Sequence, residues 1–240
     1  VGLRRTHNGH IHSVRVLGSG GVHEPIEVIC ALPSSWPGHR SGQFAFVRFD
    51  RSEGMHPFTI ASAPDSLGHG PHGEALLRLV IKPLGDYTRT LGQRLRVGQS
   101  VAIEGPYGRF DGQGSGRRQQ VWVAAGVGLT PFLALLEARQ PSVAAGAADA
   151  HPAHLHYCTR HAASDPLLPR LRSLCATAQP AVQLQVYDDA QGQRLTPQAL
   201  AAQHPGPIDL WFCGPQGLGD ALDAHAARGW RLHRESFAMR

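Results

Sequence analysis

Over the first 110 residues, apolar positions alternate with polar ones in short runs separated by Gly and Pro, the period-two signature of half-buried strands. The runs fall at 12–17, 26–32, 44–49, 58–62, 75–81 and 100–104. Their number and spacing predict a small antiparallel barrel or sandwich, with one helical stretch at 86–95. The period then changes. Apolar runs at 121–125, 153–159, 182–187 and 208–213 are each followed by a helix-period segment, at 130–139, 167–176, 196–203 and 217–227. Four strand–helix units in series predict a parallel sheet covered by helices on both faces, a fold that binds ligands at the carboxyl ends of its strands. Between the two patterns, Asp111-Gly-Gln-Gly-Ser-Gly-Arg-Arg-Gln119 is polar and glycine-rich and reads as a linker. It sets the expected domains at 1–113 and 114–240. The stretches 68–73 and 142–150 read as mobile surface loops, and there are no internal repeats.

Composition narrows the chemistry. The chain has 240 residues, 42% of them hydrophobic, and no run approaches the roughly 18 apolar residues of a membrane helix. Basic residues exceed acidic ones by 23 to 18, and Lys82 is the only lysine beside 22 arginines. The excess is spread evenly, +3 over 1–115 and +2 over 116–240, so no basic arm for nucleic acid is present. Two accounts of the arginines stand: codon bias in a GC-rich genome, or the planar fork that suits phosphate. Cys30, Cys158, Cys175 and Cys213 are far apart with no C-x-x-C pair, which excludes a zinc or iron–sulfur site; no metal is expected. Reduced thiols fit a cytoplasmic setting. The start at Val1, with neither Met nor signal region, reads as a cut from something longer.

The first strand of the second half runs into Ala125-Gly126-Val127-Gly128-Leu129-Thr130-Pro131 and then an apolar helix. Glycines at such a turn let a phosphate approach the backbone, and the helix start offers free N–H groups and a positive dipole end. Pro131 suits the first helical turn, where its missing N–H is not needed. The third glycine of the common dinucleotide fingerprint is absent, and no Gly-Lys-Ser/Thr makes it a P-loop. The next strand ends in Tyr157-Cys158-Thr159-Arg160, where an NAD-preferring sheet would place Asp or Glu. Arg160 there favours the 2′-phosphate of NADP; the alternative is an arginine in a solvated loop. In the first half, Gly85 to Thr90 is a second helix start that could hold a phosphate, with Thr88 and Arg89 as donors.

The segments Ser41-Gly-Gln-Phe-Ala-Phe-Val47, His56-Pro-Phe-Thr-Ile-Ala-Ser62, Ile81-Lys-Pro-Leu-Gly-Asp-Tyr-Thr88, Glu104-Gly-Pro-Tyr-Gly-Arg-Phe110, Gly126-Val-Gly-Leu-Thr-Pro131, Phe212-Cys-Gly-Pro215 and Glu235-Ser-Phe-Ala-Met-Arg240 occur in this order. Together they resemble the dehydrogenase module of the ferredoxin–NADP reductase superfamily, in its ferric reductase and NADPH oxidase branch. The resemblance implies an N-terminal antiparallel β-barrel FAD domain followed by a Rossmann-like parallel-sheet NADP-binding domain, with FAD and NADPH as cofactors. His56 and Pro57 would approach the FAD phosphates or ribityl chain, Phe58 would pack on the isoalloxazine, and Thr59 would bond near its reactive nitrogen. The backbone of Val80, Ile81 and Lys82 would border the adenine–ribityl portion, while Gly85, Tyr87, Thr88 and Arg89 would hold the pyrophosphate. Gly126, Val127, Gly128, Thr130, Pro131 and Arg160 would bind NADPH. Cys213, Gly214 and Pro215 would lie beside the nicotinamide, with Thr59, Cys213, Glu235 and Phe237 around the point of hydride transfer and Phe237 stacked on the flavin.

Three departures from the family pattern are Ala125 for a first glycine, Ala238 for a usual Glu, and three residues following the terminal aromatic. The implied activity is NAD(P)H-dependent flavin reduction, NADPH preferred, with single electrons passed to haem of an N-terminal transmembrane ferric-reductase-like domain or to another one-electron acceptor. The module would then lie on the cytoplasmic side of a membrane. The alternatives are a free-standing reductase of ferredoxin, flavodoxin or ferric chelates, and a non-catalytic nucleotide-binding module.

Overall fold

The computed structural model describes residues 6–18, 24–114, 118–143, 151–226 and 229–234. The chain divides into two compact units, 1–109 and 110–240.

The first unit holds β1 (Thr6–Val16), β2 (Ile26–Leu32), β3 (Phe44–Arg48), β4 (His56–Thr59), β5 (Ala75–Ile81), α1 (Asp86–Arg94) and β6 (Ser100–Tyr107). The strands form one antiparallel sheet in the order β4-β3-β6-β1-β2-β5. Its two edges meet just past β4, where Ile60 bridges Leu79 and the Ala61 N–H donates to the Arg78 carbonyl at 2.8 Å. The sheet is thereby a closed barrel, without the free edges that invite other strands. Strand alternation sends Ile26, Val28, Cys30 and Leu32 of β2 and Leu77, Leu79 and Ile81 of β5 into one apolar core. Burying each large aliphatic side chain there contributes about 1.5–3 kcal/mol. Leu91 of α1 and Leu95 after it enter the same core, so the helix caps the barrel by its apolar side.

β1 begins six residues before the expected run, in polar Thr-His-Asn-Gly-His. It is a central strand, paired to β2 on one side and β6 on the other, so its backbone is satisfied whatever its side chains. The segment 68–73 is a surface turn with its own hydrogen bonds: the Gly70 N–H donates to the Glu74 carbonyl at 2.9 Å and the His72 N–H to the Glu74 carboxylate at 2.9 Å.

The second unit holds β7 (Gln119–Ala125), α2 (Thr130–Ala138), β8 (Ala153–Thr159), α3 (Leu168–Thr177), β9 (Val182–Asp188), α4 (Pro197–Gln203), β10 (Ile208–Cys213), α5 (Gln216–His225) and β11 (Arg231–Arg234). All five strands are parallel, in the order β11-β10-β7-β8-β9. Leu200 of α4 and Leu222 of α5 cover the face bearing Val121, Val123, Leu210 and Phe212. Phe132 of α2 packs on Trp122, which points to the other face. The four-residue β11 was not expected, because Arg-Leu-His-Arg has no apolar alternation. It is an edge strand held by β10 and by a His233 ring stacked on Trp211 at 4.0 Å.

The segment read as a linker starts out packed. Phe110 lies edge-on to Phe132 and Trp211 at 5.2 and 5.1 Å, and a Cβ on Gly112 would meet Leu135 at 2.8 Å. These contacts bring residues 110–113 into the second unit, whose limit lies four residues before the boundary set by composition. Residues 115–117 and 144–150 lie outside the described set.

A chain of side chains crosses the face under α4. The Gln119 Oε1 can only accept, so the His204 Nδ1 at 3.1 Å carries a proton and its Nε2 is an acceptor. His156 Nε2, 2.9 Å away, therefore donates to it, and His156 Nδ1 accepts from the Tyr187 hydroxyl at 3.1 Å. Tyr187 in turn accepts from Gln203 Nε2 at 3.3 Å. Both rings are nearly buried, and burial followed by the neighbouring imidazoles lowers each to about 4.

Candidate functional site

In the first unit, β4 carries His56 and Phe58 on one face and Pro57 and Thr59 on the other. Cross-strand partners confirm the parity: His56 lies opposite Val47 and Phe58 opposite Ala45, while Pro57 and Thr59 face Phe46 and Phe44. The His56 ring stacks on Tyr87, the second residue of α1, at 3.9 Å and 17°. Phe58 is half-buried, with Phe49 at 6.1 Å. Thr59 is buried. Of the expected ribityl-side residues, Val80 and Ile81 bury their side chains in the barrel wall and leave only backbone, whereas Lys82 is exposed.

The start of α1 differs from its expected use. The Thr88 hydroxyl accepts from the Leu84 and Gly85 N–H groups at 2.9 and 3.1 Å and donates to the Gly85 carbonyl at 3.2 Å. It is a clasp of the turn, half of a capping box, and no free phosphate donor. The donors left are the N–H groups of the first helical turn. Gly85 is extended at φ −128°, with nothing within 4 Å of where a Cβ would stand, so the approach is open. Arg89 is exposed and touches Asp86 at 3.6 Å, an ion pair of little strength. The Tyr87 hydroxyl is buried; burial, then the Glu53 carboxylate, push it up to about 12.

Residues outside the expected set hold this strand. The Gln43 carbonyl accepts from the Ile60 N–H at 2.9 Å, its side-chain oxygen accepts from the Arg40 N–H at 2.8 Å, and its amide donates to the Gly108 carbonyl at 3.3 Å. His39 Nε2 lies 3.0 Å from the Ser62 carbonyl. Gln43 lies within the Ser41–Val47 segment, but its links span up to 65 residues and no local spacing reveals them.

In the second unit the strand order reverses between β7 and β10, and their carboxyl ends, Ala125 and Cys213, flank the crevice where such sheets bind ligands. Gly126–Leu129 is a 3₁₀ turn entered through Gly126 at φ 56°, so helical backbone starts four residues ahead of Thr130. Gly128 serves packing. A Cβ there would stand 2.8 Å from the Gly214 amide nitrogen and closer still to the Cys213 carbonyl. The Thr130 hydroxyl donates to the Val127 carbonyl at 3.1 Å, and Thr130 and Pro131 are buried in α2. Only Gly126 and Val127 of the turn keep part of their surface open. Cys213 is buried, Gly214 abuts the Ala125 Cβ and the Phe212 ring, and Pro215 opens α5. Arg160 is exposed at the end of β8. Glu235 and Phe237 lie outside the described residues. Among those described, no group of three or more His, Cys, Asp or Glu is placed to hold a metal, and no helix is long and apolar enough to cross a membrane.

Residues 7–111 match the family model of an FAD-binding domain. The match spans the barrel unit and less than half of the chain. The vanillate O-demethylase oxidoreductase of Pseudomonas putida is 31% identical to the chain over 156 residues, covering 63% of this chain and 45% of that one. NADPH oxidase 1 of Mus musculus is 30% identical over 102 residues, 40% of this chain and 16% of that one. The crystal structure of an Amycolatopsis cytochrome P450 reductase superposes with a TM-score of 0.72 at 19% identity, covering 97% of this chain and 70% of that one. The chain therefore has the two-domain reductase fold, and it spans about half the length of the first curated relatives it matches. The stack of His56 on Tyr87 and the open turn at Gly85 lie within the residues that match the FAD-binding family model.

Proposed function

We propose that the chain is the flavin-dependent reductase module of an electron-transfer system, oxidising NADPH through FAD and passing electrons singly to haem or another one-electron acceptor. The observation that carries the reading is an FAD-binding domain continuous in sequence with a parallel sheet whose strand order reverses at a glycine turn. The donor set suits an anionic dinucleotide: an imidazole parked beside a helix start, free first-turn N–H groups, and an arginine whose present partner is weak.

FAD bound there would supply the redox chemistry that links a two-electron nicotinamide donor to a one-electron acceptor. His56, oriented by Tyr87, and the first-turn N–H groups of α1 hold its pyrophosphate, with Arg89 recruited from Asp86. Phe58 supports the ring system and Thr59 hydrogen-bonds at its edge. Gly126 and Val127 present backbone to the NADPH pyrophosphate, Arg160 takes the 2′-phosphate, and Cys213 to Pro215 border the nicotinamide. Phe237 and Glu235 complete that border by resemblance.

The finer reading is that the acceptor is haem in a transmembrane domain, with this module on the cytoplasmic side. His56-Pro-Phe-Thr59 and the likeness to an NADPH oxidase support it. A free-standing reductase component is the second reading, favoured by the longer match to a demethylase oxidoreductase. Apolar segments with paired His in the natural reading frame ahead of Val1 would favour the first.

Stopped-flow reduction of the FAD-loaded chain tests the core of the proposal. NADPH should bleach the flavin band faster than NADH. Arg160→Ala should lower kcat/KM for NADPH about 10- to 100-fold, the worth of a charge-assisted phosphate contact, and leave NADH nearly untouched. A chain that takes up no FAD, or oxidises neither dinucleotide, overturns it.

A further inference from the structure

Three carboxylates, Asp165, Asp188 and Asp189, lie near the end of β8 that carries Arg160. Asp165 follows β8 by six residues, yet its Oδ2 accepts from the Tyr157 and Thr159 hydroxyls, both at 2.6 Å, and its Oδ1 from the Leu167 N–H at 3.0 Å. Both are short bonds of the kind a carboxylate makes with hydroxyl donors. Burial, then Asp165, push the Tyr157 hydroxyl up, which keeps it a donor. One side chain thus ties the last turn of β8 to the start of α3 and closes residues 159–165 into a loop. A short 3₁₀ turn, Ala162–Ser164, fills it. Arg160 lies inside the loop, and its carbonyl accepts from the Ala190 N–H at 3.0 Å.

The other carboxylates of this edge are also engaged. Asp188 accepts from the Ala190 N–H at 3.1 Å, and Asp189 pairs with Arg194. An NAD-preferring sheet needs a free carboxylate at this strand end for the two ribose hydroxyls. Here the three described carboxylates have protein partners, while the Arg160 side chain has none among the described residues.

We propose that Asp165 is the positioning residue for dinucleotide selectivity: it holds the loop that presents Arg160, and with both oxygens hydrogen-bonded within the protein it is turned away from the role of a ribose-diol acceptor. The inference rests on the assignment of Arg160 to the 2′-phosphate. Its advantage is preorganisation, since the loop is ordered before the dinucleotide arrives.

A double-mutant cycle on the FAD-loaded full chain, read as kcat/KM for NADPH and NADH, tests it. Asp165→Asn keeps the shape and removes the charge; it should lower the NADPH value about tenfold by raising KM, with kcat and the NADH value changed less than about twofold. Thr159→Val, which removes one of the bonds and leaves the carboxylate, should move in the same direction by less and guards against misfolding of the first variant. In an Arg160→Ala background, Asp165→Asn should have no further effect on the NADPH to NADH ratio. Equal losses with both dinucleotides, or the same loss without Arg160, would overturn the proposal. A wild-type chain with no NADPH preference would instead remove the Arg160 assignment beneath it, a result read before any substitution is made.

Discussion

On the barrel, Glu27 and Arg78 pair at 3.0 Å on the face of β2 and β5 that points away from the core, and the core-facing positions of both strands are apolar. The parallel sheet carries its polar groups inward. His156 and His204 are 2% and 3% exposed within a hydrogen-bonded chain, and Asp209, fully buried, is met by Gln120 at 3.3 Å and His233 at 3.4 Å. A barrel closes by backbone pairing and needs its interior only as filler. An open five-stranded sheet gains specificity from directional bonds, and those bonds depend on protonation. The two units should therefore respond differently to packing changes and to acid.

The largest separation is expected from glycine turns that look alike in sequence. Gly128→Ala drives a Cβ into the backbone of Cys213 and Gly214, which should cost the second unit about 3 kcal/mol or more. Urea unfolding followed by tryptophan fluorescence would show it, because Trp122, Trp211 and Trp230 all lie in that unit and only Trp36 in the barrel.

Acid comes next. His156 and His204 titrate at about 4 when folded, against 6.5 ordinarily. The unfolded chain takes up their protons first, so their stabilisation is complete above pH 6.5 and is lost as pH falls toward 4. His156 alone accounts for about 3 kcal/mol across that window. The same fluorescence transition should shift to lower urea between pH 7 and 5; an unchanged midpoint would contradict the neutral chain.

His156→Leu should cost about 1–3 kcal/mol at pH 7, since Tyr187 and His204 lose their shared partner, and should flatten the acid response. Gly85→Ala is expected to be smallest, below about 0.5 kcal/mol, its site being open and its backbone ordinary. Any fall in FAD affinity in that variant, measured by flavin titration, would report close approach by the phosphate instead of a folding defect.

Several elements were legible because one period governs them. The runs at 26–32, 75–81, 153–159 and 208–213 coincide with β2, β5, β8 and β10, whose side chains face cores directly. β4 was placed two residues late, since His56-Pro57 resembles a turn until β3 pairs with it. Thr88 and Gly128 were read as ligand-facing from their types; neighbours far along the chain or one turn back claim them instead. Asp165 was invisible, because an acidic residue in a loop carries no mark of the two hydroxyls it will collect.

The amino-acid sequence by itself determined the barrel-then-sheet order and the two glycine turns at helix starts, because period and turn chemistry are local properties of neighbouring residues. Tertiary structure alone decided which groups at those turns remain free, the chain joining Gln119 to Gln203, and the engagement of Asp165 beside an Arg160 side chain with no partner among the described residues. The side-chain chain joins positions up to 85 residues apart, and the Asp165 bonds, though close in sequence, form only once β8 and the start of α3 are set in place.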